Sequence, residues 1–198
     1  MQFLTGFRQR QEGVAFIEFA IALPFLLILL LGGIEVTRYV LIVQKVEKTA
    51  STISDVVAQA SALSQNDLDN IVTAGGQVME PYGFGSNGYV VISSVTQVGT
   101  PAGDNPPIVK WQYGGGGTWV QPSQIGTTGG VASLPSGLAL NDADNIIIAE
   151  VFYNYQPMVV NNIISGGSIY RMSLYKPRFG ALTSLSYLQM LDPWQGLL

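Results

Sequence analysis

Near its N-terminus, the chain contains a long apolar run that a single carboxylate interrupts. Residues 14–34 are uncharged except for Glu18, and no later stretch approaches eighteen consecutive apolar positions. As a helix, these 21 residues span about 31 Å, the hydrocarbon thickness of a bilayer. The run therefore predicts one membrane-spanning helix, which Pro24 loosens locally because proline removes a backbone hydrogen bond.

Helical periodicity continues beyond this run. Residues 35–74 contain neither Gly nor Pro, and their apolar positions recur at steps of three and four. This spacing predicts one face of a helix that extends to about residue 63. The face could dock on the chain's own domain or pair with helices of other subunits, and both remain open here. Its members are Val36, Tyr39, Val43, Val46, Ala50, Ile53, Val57 and Ala60.

Beyond the long helix, the pattern changes from helix to sheet. Ser64 and Asp67 predict the cap of a short helix over residues 66–74, which Gly75 and Gly76 would end. Short β-branched and aromatic runs between Gly and Pro clusters then predict antiparallel strands over 89–98, 108–113, 145–155 and 169–176. The expected fold class is α+β, with the long N-terminal helix packed on a small antiparallel sheet.

Alternation within the third and fourth strands predicts a core face on each. Ile147, Ala149, Val151, Tyr153 and Tyr155 share one face of the third strand, and Tyr170, Met172 and Leu174 share one face of the fourth. Glu150 and Asn154 mark the polar face of the third strand. Segments 101–107 and 114–139 are expected to be exposed loops. Phe179, Leu182, Leu185, Leu188 and Leu191 suggest a C-terminal amphipathic helix or tail.

Composition narrows the possible chemistry. The chain contains no histidine and no cysteine, so His-based zinc sites, Ser-His-Asp and Cys-His catalysis and disulfides are excluded. The net charge of −4 argues against nucleic acid as a partner. We predict no enzyme activity, no metal and no cofactor.

Several local patterns have a functional and a structural interpretation. Residues 141–145 offer oxygen ligands but lack the glycine and distal glutamate of a calcium loop, which favours a turn. The glycines 114–117 lack the Lys of a phosphate loop and favour a flexible hairpin loop. Asp142, Asp144 and Glu150 are weak candidates for a carboxylate-based glycosidase. Six aromatic residues could form an adhesive surface, although sheet core is favoured: Trp111, Tyr113, Trp119, Phe152, Tyr153 and Tyr155.

Glu18 is the strongest candidate for a functional residue. A carboxylate at the centre of a membrane helix costs roughly 2.5 to 3.5 kcal/mol, and less toward an end. In the simplest alternative, Glu18 reaches the membrane surface, because it lies only about 7.5 Å from the start of the span. A cleaved secretory signal is disfavoured, since its apolar region would contain Glu18 and residues 31–33 lack small residues in cleavage spacing.

The residues around Glu18 resemble a known family. Gly13 followed by Val-Ala-Phe-Ile and Glu18 resembles the type IV prepilin signal, in which a prepilin peptidase cuts after the glycine and the fifth mature residue is glutamate. The longer string GVAFIEFAIALPFLLILLLGGIE, with Phe19 and Pro24, is similar to the start of TadE/TadG-like proteins of the tight-adherence (Tad, Flp-type) pilus system. A looser resemblance lies in EVFYNYQP and YKPR near the end of the chain.

This resemblance implies an organisation and a function. Residues 1–13 would be a prepilin leader, 14–63 a transmembrane helix with an amphipathic extension, and 64–198 a periplasmic or extracellular α+β domain. Gly13 and Val14 would form the processing site, and Glu18, Phe19 and Pro24 would dock subunits, with Glu18 pairing the Val14 amine of a neighbour.

The protein would then be a non-catalytic minor pilin or pseudopilin of the bacterial inner membrane that assembles an adhesive pilus. Its partners would be other Tad pilins and pseudopilins, the prepilin peptidase, the inner-membrane assembly platform and the lipid bilayer. The alternative is an unprocessed bitopic membrane protein with a periplasmic binding domain.

Overall fold

The described part of the chain combines one long helix, two short helices and a four-stranded sheet, which confirms the predicted α+β class. The computed structural model describes residues 5–99, 105–158 and 165–186, with side chains from Gly13 onward. The elements are α1 (Thr5–Ala58), α2 (Gln65–Val78), α3 (Phe84–Asn87), β1 (Gly88–Thr96), β2 (Ile108–Gly115), β3 (Asn145–Tyr155) and β4 (Gly167–Tyr175). They belong to two units, residues 1–41 with 156–166, and residues 42–155 with 167–198.

The four strands form one antiparallel sheet in the order β2-β1-β3-β4. Each predicted strand is present within two residues at either end. Val90 lies opposite Val151, and Ile92 lies opposite Ala149, at the centre of the sheet. These four side chains are fully buried, which confirms the core face predicted for β3.

The C-terminal part of α1 is buried along one face. Val46, Ala50, Ile53 and Val57 are fully buried, as their spacing predicts. Nearer the membrane run the prediction is wrong, because Ile42 is buried whereas Val43 is only half-buried. Alternating steps of three and four average 3.5 residues, and such a stripe drifts about 20° per heptad around a straight helix. The true face therefore moves away from the predicted one with distance from Val57.

Helix α2 begins at the predicted cap but does not end at the predicted glycines. Ser64 and Asp67 form a reciprocal capping box, in which the Asp67 N–H donates to Ser64 Oγ at 3.2 Å and the Ser64 N–H donates to Asp67 Oδ2 at 2.9 Å. Hydrogen bonds from Ser64 hold the pKa of the Asp67 carboxyl below its usual range. The helix then continues through Gly75 to Val78. A Cβ on Gly75 would lie 2.6 Å from Ile53 Cδ1, so this glycine permits close helix packing.

The second face of the sheet is buried, contrary to the prediction of a polar face and exposed loops. Residues 116–144 contain no helix or regular strand, yet they cover Val95, Val109, Ile146 and Ile148 with apolar side chains. The covering side chains that are fully buried are Ile125, Ala132 and Leu140. A few apolar residues in a glycine-rich segment therefore suffice to close this side of the core.

Glu150 lies within this second core and is completely buried. Its carboxylate accepts hydrogen bonds from Ser123 Oγ, from the Gln124 N–H at 2.8 Å and from the Tyr170 hydroxyl at 3.0 Å. Burial and the adjacent carboxylate raise the pKa of Tyr170. Glu150 thus holds the covering loop on the sheet, because donors surround a carboxylate that would otherwise be costly to bury.

The glycine run 114–117 lets two backbone segments approach each other closely. The prediction of a flexible hairpin loop is therefore wrong. Gly114 and Gly115 belong to β2, and a Cβ on Gly117 would lie 2.0 Å from the Gly88 carbonyl oxygen. The Thr118 N–H donates to the Gly85 carbonyl at 3.0 Å. Only glycine has room for this approach.

The favoured core interpretation is confirmed for four of the six aromatic residues. Trp111, Phe152, Tyr153 and Tyr155 are buried, and Phe152 packs on Tyr170 with ring centroids 5.0 Å apart. The segment that follows β4 is irregular over residues 176–186, so the described part is a tail rather than a helix. Leu188 and Leu191, which also belonged to the C-terminal prediction, lie outside the described residues.

Candidate membrane and assembly interface

The N-terminal part of α1 exposes apolar side chains on every side. Within the described residues, one helix is long and apolar enough to cross a membrane, over Gly13–Ala58. Its most apolar 18-residue window has a mean hydropathy of 2.7, and none of that window is buried within the protein. Side chains from Val14 to Leu30 are exposed. A surface of this kind is stable in lipid or against other apolar helices, but not in water.

The two residues of the predicted processing site lie inside this helix. Gly13 and Val14 are both exposed, and a Cβ on Gly13 would meet nothing within 4 Å. The peptide bond between them belongs to continuous α1. An enzyme that cuts this bond must therefore unwind the helix locally, because a helical peptide bond is already engaged in the backbone ladder.

Glu18, Phe19 and Pro24 are all exposed, but they do not form one surface. At about 100° per residue, Phe19 lies about 100° around the helix from Glu18, and Pro24 lies about 120° from Glu18 on the opposite side. The three residues thus divide the circumference of the helix into three faces. Val14 lies one turn before Glu18, within about 40° of the same face.

Glu35 is a functional candidate that the sequence prediction missed. It directly follows the apolar run and is 0% exposed. Both of its carboxylate oxygens lie 3.2 Å from the Met158 N–H, and Arg38 Nη1 lies 3.6 Å from Oε1. Arg38 also donates to the Gln156 carbonyl at 3.0 Å. The sequence does show Glu35 as the first acidic residue after the apolar run. It does not show the partner, because the Met158 N–H lies 123 residues farther along the chain.

The comparison with known families concerns this same part of the chain. Residues 13–54 match the family model of the TadE-like proteins. We call these residues the TadE-like segment. The match begins at Gly13 and confirms the predicted resemblance over the N-terminal helix. No curated protein and no solved structure matches the chain. The looser resemblance in residues 150–157 and 175–178 lies outside the TadE-like segment and stays a prediction.

The C-terminal part of the TadE-like segment docks on its own domain and leaves another face open. Ser51 Oγ lies 3.3 Å from the Tyr175 hydroxyl, and Lys45 Nζ donates to the Val78 carbonyl at 2.9 Å. An apolar groove of about 270 Å³ runs between α1 and α2, and exposed Val56 lines it. Docking on the chain's own domain, one of the two possibilities, is therefore present in residues 42–58.

The carboxylates considered for catalysis have separate structural roles. Asp144 accepts a hydrogen bond from the Asn141 N–H at 2.9 Å and forms an ion pair with Lys176, and these contacts lower its pKa. Asp142 accepts from the Gly99 N–H at 2.7 Å. The Asp144 N–H donates to the Asn141 carbonyl at 3.1 Å, which confirms the turn in residues 141–145. Six residues of extended chain, about 20 Å, separate Asp144 from Glu150. This is much longer than the roughly 5–9.5 Å between paired glycosidase carboxyls. Among the described residues, no group of three or more His, Cys, Asp or Glu is placed to hold a metal.

Proposed function

We propose that the protein is a non-catalytic minor pilin or pseudopilin that takes part in the assembly of a Tad-type adhesive pilus. The observation that carries this proposal is the TadE-like match, which starts at Gly13 and covers an exposed apolar helix. The proposed topology places residues 1–13 in the cytoplasm, one helix in the inner membrane and the α+β domain in the periplasm. This topology is compatible with incorporation into an extracellular pilus.

The first proposed step is cleavage by a prepilin peptidase between Gly13 and Val14. Cleavage creates a positively charged amine on Val14, close to the membrane surface. Glu18 lies about 6 Å farther along the helix. Two such charges in an apolar environment stabilise each other, because each one alone would be costly to desolvate.

The second proposed step is docking of the processed helix among other pilins and pseudopilins. Because Glu18, Phe19 and Pro24 point in three directions, one helix can contact up to three neighbours. The Glu18 carboxylate of an incoming subunit would pair with the Val14 amine of a neighbour. The inner-membrane assembly platform and the bilayer would hold the subunits during assembly. Nucleic acid has no part in the proposed process.

Variants at the two key positions test this proposal in a strain that assembles the pilus. Gly13→Ala should block maturation, and Glu18→Ala should leave maturation intact but reduce pilus assembly. Gly33→Ala is the matched control, because Gly33 lies in the same helix and a Cβ there also meets nothing within 4 Å. Normal maturation and normal pili in both test variants would contradict the proposal.

Crosslinking tests the intersubunit pair directly. The chain lacks cysteine, so Ala15→Cys in one copy and Ile17→Cys in another, next to Val14 and Glu18, can be joined without background from native cysteines. The expected product is a covalent dimer in assembled pili. The absence of an intersubunit product would show that pairing between copies does not occur.

The alternative is an unprocessed bitopic membrane protein with a periplasmic binding domain. The unbroken helix through Gly13 favours it, since a helical bond is a poor substrate for peptidases. In that case Gly13→Ala would change neither the mass nor the location of the protein.

A further inference from the structure

Glu35 and Arg38 lie at the end of the apolar run, yet their charges are compensated within the protein. The Met158 N–H donates to the Glu35 carboxylate at 3.2 Å, and Arg38 approaches that carboxylate to 3.6 Å. Arg38 Nη1 donates to the Gln156 carbonyl at 3.0 Å. One carboxylate, one guanidinium and the backbone of residues 156–158 thus form a closed polar cluster, which we call the exit cluster.

The neighbouring polar side chain is also satisfied. Thr37 Oγ1 donates to the Gly33 carbonyl at 2.8 Å within the helix. Polar groups that have partners of this kind can enter an environment with little water, because they lose few hydrogen bonds there. The exit cluster therefore does not mark the end of the lipid-compatible surface.

Exposed apolar side chains continue past the exit cluster. Ile34, Val36, Val40 and Leu41 are all exposed, and Met158 is 71% exposed beside them in the same unit. From Val14 to Leu41 the helix rises about 40 Å, whereas the hydrocarbon core is about 30 Å thick. A whole bilayer with both headgroup layers measures about 40–45 Å, so each headgroup layer is about 5–7 Å thick. Glu35 and Arg38, about 31 and 36 Å from Val14, therefore fall within one headgroup layer, and Leu41 lies just beyond it.

We infer that the exit cluster lies in the headgroup layer of the bilayer and that residues 156–158 contact lipid there, with the Met158 side chain facing the membrane. The partner of this surface is the lipid bilayer, since the surface continues directly from the membrane-spanning run. Arg38 would lie at the depth of the lipid headgroups, which arginine side chains near the ends of membrane helices commonly reach. The inference rests on the membrane anchoring in the proposed function and adds a second membrane contact, 120 residues later in the chain.

Single cysteines provide a test, because the chain contains none of its own. Spin labels at Met158→Cys, Leu29→Cys and Val120→Cys would be measured in the full chain, reconstituted alone in phosphatidylcholine and phosphatidylglycerol vesicles. Collisions with oxygen report lipid, and collisions with a water-soluble nickel chelate report water. All three native side chains are exposed, so the labels perturb packing little. The Met158→Cys substitution also keeps the N–H that binds Glu35.

The expected depth of the label at position 158 is within about 7 Å of the hydrocarbon boundary, the thickness of a headgroup layer. Leu29 should report the hydrocarbon core, and Val120 should report water. A label at position 158 that behaves like the one at 120, or that collides with neither reagent because protein covers it, would overturn the inference. Membrane anchoring itself fails only if the label at Leu29 also reports water, so the two failures are distinguishable.

Glu35 variants show whether the exit cluster sets this depth. Glu35→Gln retains an acceptor for the Met158 N–H and should leave the label at its original depth. Glu35→Ala removes the acceptor and should move the label toward water. An unchanged depth in Glu35→Ala would show that the contact of residues 156–158 with lipid does not depend on Glu35, and would overturn that part of the inference.

Discussion

The backbone N–H of Leu182 donates a hydrogen bond of 2.8 Å to Oδ1 of buried Asn145, at the start of β3. The Leu182 carbonyl accepts from Trp111 Nε1 at 2.8 Å and from Ser94 Oγ at 2.6 Å. The backbone of one residue in the C-terminal tail is therefore recognised by donors and acceptors of three strands. Four residues earlier in the tail, the Arg178 N–H donates to the Ala58 carbonyl at 2.9 Å, at the end of α1.

Substitution of Asn145 by alanine should destabilise the domain and release the tail. The Asn145 amide also donates to Ser94 Oγ at 2.9 Å and to the Val95 carbonyl at 3.1 Å, so alanine removes the acceptor of the Leu182 N–H and breaks two further hydrogen bonds of buried polar groups. We expect a loss of about 2–3 kcal/mol in the free energy of unfolding, because each such group costs about 1–3 kcal/mol. Urea unfolding in detergent, followed by tryptophan fluorescence, measures this loss. Asn154→Ala, at a half-exposed position of the same strand, should change the value by less than about 0.5 kcal/mol.

The buried carboxylate of Glu150 predicts a graded response to substitution. Glu150→Gln keeps one acceptor oxygen, whereas Glu150→Ala leaves the Tyr170 hydroxyl, Ser123 Oγ and the Gln124 N–H without their acceptor. Alanine should therefore cost at least about 3 kcal/mol, and glutamine clearly less. Hydrogen exchange should show faster exchange of the Gln124 amide in the alanine variant. Equal stability of the two variants would mean that the carboxylate does not hold the loop.

Gly75→Ala should destabilise the domain although alanine is the better helix former. The added Cβ would lie 2.6 Å from both Ile53 Cδ1 and Ile53 Cγ1. We expect a loss of about 1–3 kcal/mol from overpacking, which exceeds the gain of about 1 kcal/mol in helix propensity. In an Ile53→Ala background the same substitution should become neutral or stabilising. Gly85→Ala is the matched control, since a Cβ there meets nothing within 4 Å.

Stability should fall in acid partly through Asp144 and Asp67, whose pKa values the fold lowers. A carboxyl with a lowered pKa stabilises the folded state above its unfolded pKa of about 3.9, and this contribution is lost as the pH falls through the lower folded pKa. Asp144→Asn should therefore flatten the decrease of the melting temperature below about pH 4. Lys176→Gln should have a similar effect, and the double variant should add little, because the two residues form one ion pair.

The sequence was informative where local patterns determine structure. The strands follow from β-branched and aromatic runs between Gly and Pro clusters, and the cap of α2 follows from Ser64 and Asp67. The TadE-like segment was recognisable because Gly13, Glu18, Phe19 and Pro24 lie at fixed spacing within about a dozen residues.

Long-range partners were not predictable from these patterns. The alternation of side chains in β3 predicts an exposed position for Glu150. It is a core residue only because the covering loop packs over it, and the apolar residues of that loop, such as Ile125 and Leu140, are isolated in the sequence. Glu35 lies where the sequence changes from apolar to polar, a pattern that does not reveal that its hydrogen-bond partner is the backbone of Met158. Glycine is common at helix ends, which is why the sequence predicts that α2 ends at Gly75. In the structure Gly75 lies inside α2, where it packs against Ile53.

The identity of the first residue of the membrane-bound protein tests the proposed function most directly. The full chain would be produced together with the prepilin peptidase of its pilus system, and the protein in the membrane fraction would be analysed by N-terminal sequencing and intact mass. The account predicts Val14 as the first residue, and the full-length chain when Gly13 is replaced by alanine. A membrane-bound protein that keeps residues 1–13 in the presence of active peptidase would contradict it.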